Sequence, residues 1–335
     1  MTYTALTRMV FGHVDARVVY AAVRLGVADA LAAGPMPVEK LAETLDCDPD
    51  GLARLMRALV VLGLAEEPEA GQVALTGLGR PLCADHPESL RSAVLLTGHP
   101  ATWRAWGALT DAVRAGGSAF RHAHGRPLFD HLPGDPDLAA AFHTAMGDGT
   151  GQVTEAVVRA YDFGAARTVV DLGGGDGTLL AAVLGAAPDA RGVLLDREDG
   201  AARAAETLRR AVPPGRWSVR AGDFFTAVPA GDLLLLKGVL HDFGDRRCVD
   251  LLRTCRRAIA PDGRLLVLES VLPPRSAPDA AAVVLSDIAM LAWTGGRERT
   301  VAGFRDLLAA ADFTLSGVSP PLAGTPTRIL IATPS

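Results

Sequence analysis

A chain of 335 residues is long enough for two domains, and its apolar fraction of 49% with a net charge of −5 describes an ordinary soluble globular protein with no excess of basic residues for nucleic acid. Four cysteines (Cys47, Cys83, Cys248, Cys255) form no CxxC pair and read as reduced thiols of a cytoplasmic protein. Arg8, Asp15 and Arg17 interrupt the N-terminal apolar pattern, which excludes a signal-peptide core, and no apolar run approaches the roughly 18 residues of a membrane span.

Helical apolar spacing covers residues 14–32 and ends at Gly34-Pro35. A short helix is expected over 37–45. Asp48 is placed to N-cap the next helix with Pro49 at its first position, and Gly63 to end it. Residues 64–76 read as a hairpin turning at Glu69-Ala70-Gly71, so the N-terminal part has the pattern of a winged helix-turn-helix. A DNA reader needs a basic face for phosphate, but residues 1–90 hold seven basic residues against twelve acidic ones. A dimerisation and lid module fits that charge better than a DNA-binding regulator.

Residues 102–161 are expected to be helical, broken at 115–118 and 132–136. Phe142 and Met146 share a helical face and are candidate walls of a substrate pocket. His122, His124 and His131 lie in a polar stretch without neighbouring cysteines, and no metal site is expected there.

From Arg167 onward strands alternate with helices, which specifies an α/β, Rossmann-like, doubly wound parallel sheet with ligands at the carboxyl ends of its strands. The first strand, 168–172, runs into Gly173-Gly174-Gly175-Asp176-Gly177 and then a helix, the order of a nucleotide-type cofactor cradle. The dinucleotide pattern G-x-G-x-x-G fails at its last position, where Thr178 stands. Asp196 ends the second strand, Asp223 and Phe224 follow the third, and Lys237, one of only two lysines, ends the fourth. Asp171 and Asp176 would repel a pyrophosphate but suit a ligand with an ammonium and a sulfonium, as S-adenosylmethionine has.

The motifs 171–177, Gly222-Asp223-Phe224-Phe225, Lys237-Gly238-Val239-Leu240-His241-Asp242-Phe243 and Gly295-Gly296-Arg297-Glu298-Arg299-Thr300 together resemble the small-molecule O-methyltransferases of the plant caffeate and bacterial polyketide-tailoring type. The resemblance covers nearly the whole chain. It implies a homodimer built by a winged-helix domain over residues 1–100, a helical linker or lid over 101–160 that contributes to the substrate pocket, and an S-adenosylmethionine domain over 161–335. It implies that Gly173 and Gly175 hold the methionine portion, Asp196 the ribose, Asp223 and Phe224 the adenine, with Lys237 on the cofactor and Phe243 packed on adenine. Arg197-Glu198-Asp199 depart from the family's usual apolar residue and proline after that ribose acid.

His241 resembles the family's base, with Glu269 and Glu298 as flanking carboxylates. A phenol of pKa about 10 and an imidazole of about 6.5 make proton removal feasible when it is coupled to attack on a methyl group. Met290 and Trp293, near Asp287, share a helical face and are further pocket candidates. The expected activity is methyl transfer to a phenolic hydroxyl of an aromatic natural product. The competing readings are a non-methylating reaction on the same fold, such as hydroxylation, decarboxylation or a pericyclic step, and the winged-helix regulator.

Overall fold

The computed structural model describes residues 5–273, 280–322 and 324–335. The chain forms two compact units, Met1–Trp103 with Ala140–Ala145, and Arg104–Ala139 with Met146–Ser335.

In the first unit, the expected helix over 14–32 is two helices, Ala5–Leu25 and Val27–Leu31. Gly26 separates them at φ 79°, a left-handed conformation that a glycine adopts without steric cost. After strand β1 (Met36–Pro37) come helices Val38–Thr44 and Pro49–Val61. The Asp48 carboxylate accepts from the Gly51 N–H at 2.7 Å, the expected cap. The hairpin is β2 (Ala65–Glu66) against β3 (Gln72–Leu75), with Gly71 at φ 77° in its turn, and β1 adds to β3 to complete a three-stranded sheet. Leu31, Leu41, Leu52, Met56 and Leu59 form the buried core beneath it.

The second unit holds seven strands: β4 (Thr168–Leu172), β5 (Arg191–Asp196), β6 (Trp217–Ala221), β7 (Gly231–Lys237), β8 (Ile259–Ser270), β9 (Phe313–Val318) and β10 (Thr327–Pro334). Their order is β6-β5-β4-β7-β8-β10-β9. The sheet is parallel through β8, but β10 runs antiparallel between β8 and β9, so the expected all-parallel sheet is corrected at that edge. Strands β9 and β10 are joined without a crossover helix, and a direct return connection produces antiparallel pairing. Val169, Val170 and Leu172 of β4 and Leu233–Leu236 of β7 are buried, as expected for strands covered on both faces. Winding proceeds outward from β4 in one direction and from β7 in the other. The crevice at this reversal lies beyond Leu172 and Lys237, where ligands bind in such sheets.

Candidate active site

At the end of β4, Gly173, Gly175 and Gly177 have φ of 68°, 59° and 81°, so the loop turns in a way that side-chain-bearing residues resist. A Cβ on Gly174 would lie 2.6 Å from the Asp171 Oδ2, whereas one on Gly175 would meet nothing within 4 Å. The loop is therefore packed tightly onto Asp171 and open above Gly175. Asp171 is buried, its Oδ2 has no hydrogen-bond partner, and burial, with Asp196 and Asp176 nearby and Lys237 opposing, pushes it up to about 7. A buried acid without a donor fits a cationic ligand group and does not fit a pyrophosphate.

Asp196, at the end of β5, accepts from the Gly175 N–H at 2.7 Å and the Arg197 N–H at 2.6 Å, which fixes its carboxylate against the glycine loop. Burial raises its pKa, and those two hydrogen bonds oppose the rise. Arg197, part of the departure from the family pattern, instead faces Asp130 at 3.6 Å across the surface. Phe224 approaches the glycine loop, its ring edge 3.6 Å from a Cβ built on Gly173. Phe224, Phe225 and Phe243 meet edge to face, with Phe225 and Phe243 centroids 5.1 Å apart. Asp223 beside them accepts from the Phe225 N–H at 2.9 Å and so shapes its own turn. Lys237, ending β7, donates from Nζ to the Thr150 hydroxyl at 2.8 Å. Burial lowers its pKa, against the pull of Glu269, Asp171 and Asp176.

His241 lies in a 3-10 turn, Leu240–Asp242, immediately after β7. Its Nδ1 stands 3.3 Å from the Glu269 Oε2 and 3.4 Å from the Glu298 Oε1, aligned on neither well enough for a hydrogen bond. Both carboxylates are buried, at 1% and 3% exposure, so neither is a solvated acid. The ligand atoms of the three side chains lie within 4.8 Å of one another, close enough for the two carboxylates to share a protonated imidazole. Burial pulls the imidazole pKa down, but Glu269, Glu298 and Asp242 outweigh it and hold it at about 10, well above the ordinary 6.5.

Glu269 sits on β8 and serves two groups. Its Oε1 accepts from the N–H groups of Val239, Leu240 and His241 at 3.0, 2.8 and 3.3 Å, leaving Oε2 for the imidazole. Its own pKa is raised by burial, with His241 opposing. Glu298 accepts from the Ser286 hydroxyl at 2.8 Å, and its N–H donates to Asp287 at 2.8 Å. Ser286 lies outside the quoted motifs, and Asp242 lies within one that assigns it no role. Burial pushes Asp242 up to about 7, with His241 opposing.

The pocket candidates divide. Met290 and Trp293 are both partly exposed on the helix Ala280–Trp293, and Trp293 packs beside Trp106 and Leu109 around Ala112, Ala119 and Ala292, with its indole N–H unpaired. Met146 is 42% exposed and precedes Gly147, which leaves room for the Asp176 carboxylate. Phe142, one turn earlier on the helix Pro136–Ala160, belongs to the other compact unit, where it meets His143 edge to face. His124 and His131 stack near Phe120, and His131 accepts from Arg126.

An open glycine turn seated on an acid with an unpaired oxygen after β4, and a histidine held between carboxylates after the neighbouring β7, are chemistry for a cationic group donor and a proton-bearing acceptor. Those features define the class of S-adenosylmethionine-dependent methyltransferases. The chain belongs to the O-methyltransferase family: residues 106–314 match the O-methyltransferase domain and residues 7–85 the O-methyltransferase dimerisation domain. It is 40% identical to the O-demethylpuromycin-O-methyltransferase of Streptomyces alboniger over 330 residues, covering 97% of this chain and 88% of that protein. Among solved structures, mitomycin 7-O-methyltransferase MmcR superposes with a TM-score of 0.93 at 34% identity, covering 98% of this chain and 97% of that one. The neocarzinostatin-biosynthesis O-methyltransferase NcsB1, solved with S-adenosylmethionine and 2-hydroxy-5-methyl naphthoic acid, superposes at 0.85 with 31% identity and 96% coverage of both chains. The protein is an S-adenosylmethionine-dependent O-methyltransferase of natural-product biosynthesis.

Proposed function

We propose that the acceptor is a phenolic hydroxyl of an aromatic, polyketide-like compound and that His241 is the general base. The observation that carries this reading is the position of Nδ1 between two buried carboxylates, which leaves Nε2 free for the acceptor. S-adenosylmethionine, when bound, supplies an electrophilic methyl group on a sulfonium. Gly173 and Gly175 give close backbone approach, Asp171 offers an unpaired acid to the cationic end, and Asp196 offers its outer lone pairs to ribose hydroxyls. Asp223, Phe224 and Phe243 form the adenine side, with Lys237 between this cradle and Glu269. On the acceptor side, His241 takes the phenol proton at Nε2, and the Glu269 and Glu298 carboxylates beside Nδ1 stabilise the imidazolium. A base near 10 facing a phenol near 10 makes that transfer almost level in energy. Met146, Met290 and Trp293 are the proposed apolar contacts of the acceptor.

Homodimerisation is proposed on two grounds. The dimerisation family model spans residues 7–85, and helix Ala5–Leu25 carries Leu6, Met9, Val10, Phe11 and Val14 at 46–76% exposure, an apolar patch that a monomer would leave in water. The excess of acidic residues in this unit stands against nucleic acid as a partner. No helix among the described residues is long and apolar enough to cross a membrane.

Methyl-labelled S-adenosylmethionine incubated with a panel of hydroxylated naphthalenes, anthraquinones and simple phenols tests the reading. Label is expected in an aryl methyl ether, and none when hydrogen replaces the hydroxyl. Product formation without label, or label on nitrogen or carbon, refutes it.

A further inference from the structure

We infer that Arg299 is a positioning residue that holds the base and the adenine-side aromatic in fixed register, an inference that rests on the reading of His241 as base. Arg299 is buried, at 5% exposure. Its Nη1 donates to the Leu240 carbonyl at 2.9 Å and its Nη2 to the Phe243 carbonyl at 2.7 Å, so one guanidinium spans the two ends of the turn that carries His241. The Asp245 carboxylate orients it, accepting from Nε at 3.0 Å and Nη2 at 2.8 Å.

The opposite polarity of the same turn is held by Glu269, whose Oε1 collects the N–H groups of residues 239–241. The turn is thus gripped through its donors by an acid that also faces the imidazole, and through its acceptors by an arginine that touches neither ring. The strap around Arg299 tightens the grip. The Arg297 N–H donates to the His241 carbonyl at 2.8 Å, and Gly296 passes so close that a Cβ there would lie 1.9 Å from that same oxygen.

His241 faces the acceptor, while Phe243, two residues on, packs against Phe224 and Phe225 on the donor side. Fixing both carbonyls sets the separation between the group that takes the proton and the surface that seats the adenine. A lysine keeps the charge, but its single nitrogen cannot bridge two carbonyls and a carboxylate in one plane.

The test compares Arg299→Lys, Asp245→Asn, His241→Gln and the Arg299→Lys/His241→Gln double variant, with a phenolic acceptor that the wild-type enzyme methylates. Because an error of about 1 Å in placement costs on the order of 10²-fold, Arg299→Lys is expected to lower kcat by about that factor and to raise the KM for S-adenosylmethionine severalfold. It should lower kcat no further in the His241→Gln background. Asp245→Asn, at a half-exposed position with little risk to folding, is expected to shift kcat and KM in the same directions by a smaller factor, and it carries the test if Arg299→Lys does not fold.

A merely structural arginine would lower Tm and the folded fraction while kcat per folded site and the KM stay at wild-type values in both variants, and that result overturns the inference. Wild-type turnover in His241→Gln would instead overturn the base assignment. Loss in His241→Gln with unchanged kcat and KM in Arg299→Lys and Asp245→Asn defeats the positioning role alone.

Discussion

Glu269→Gln removes one of two charges from the imidazole while keeping an oxygen for the N–H groups of residues 239–241. Glu269, Glu298 and Asp242 lift His241 from 6.5 to about 10 against burial, a differential of about 5 kcal/mol at 1.36 kcal/mol per pH unit. Glu269 is the largest of the raising influences, so its neutralisation should lower the imidazole pKa by roughly 2 pH units. The ascending limb of kcat/KM against pH should move down by the same amount. The plateau should also fall, by about 10²-fold, because the carboxamide no longer stabilises the imidazolium. The two effects offset one another below the variant's pKa of about 8, and the lost plateau emerges above it. The wild-type to variant ratio of kcat/KM should therefore grow with pH, approaching tenfold per pH unit between the two pKa values. Initial rates between pH 6 and pH 10 under subsaturating acceptor measure this, and a ratio that is constant across the range refutes the assigned coupling.

Asp171→Asn tests the buried acid. The folded pKa of about 7 lies above the ordinary 3.8, so the wild-type protein gains stability from the protonated form at low pH and loses it as pH rises through about 7. Thermal melts from pH 4 to pH 8 should show that loss in the wild type and a flatter profile in the variant. Isothermal titration at pH 8 should show weaker S-adenosylmethionine binding by the variant, and unchanged affinity would remove Asp171 from the site. Gly296→Ala places a methyl against the His241 carbonyl, and overpacking of this kind costs about 1–3 kcal/mol. Tm should drop and turnover fall more than S-adenosylmethionine affinity, whereas wild-type turnover would show that the strap does not press on the base.

Much of the sheet domain was legible because its signals are local. Runs such as Leu233–Leu236 can be accommodated only in a strand buried on both faces, and glycine clusters mark turns that other residues resist. Less legible were features decided by long-range pairing. The antiparallel seat of β10 depends on which edge of β8 remains free, and the start of β8 at Ile259 ends the helix Asp245–Ala258. Gly26 was hidden inside an apolar period that continues on both sides of it.

At the site, the family resemblance brings forward His241, Glu269 and Glu298, which the fold draws together from three separate segments. What spacing does not reveal is partnership. Arg299 adjoins Glu298 in sequence, yet its guanidinium turns to Asp245 and to two carbonyls, and Ser286 serves the glutamate instead. Nor does a sequence display the electrostatic outcome of burying one imidazole with two acids, which is why an ordinary histidine pKa was expected where the site holds about 10.

The base assignment is met most directly by single-turnover methyl transfer in His241→Gln, with S-adenosylmethionine affinity measured on the same preparation by calorimetry. General-base catalysis by a positioned histidine is worth about 10²–10⁴-fold, so the transfer rate should fall by that range at pH 8 while the dissociation constant for S-adenosylmethionine stays within about threefold of wild type. Transfer at the wild-type rate with intact binding would contradict the account.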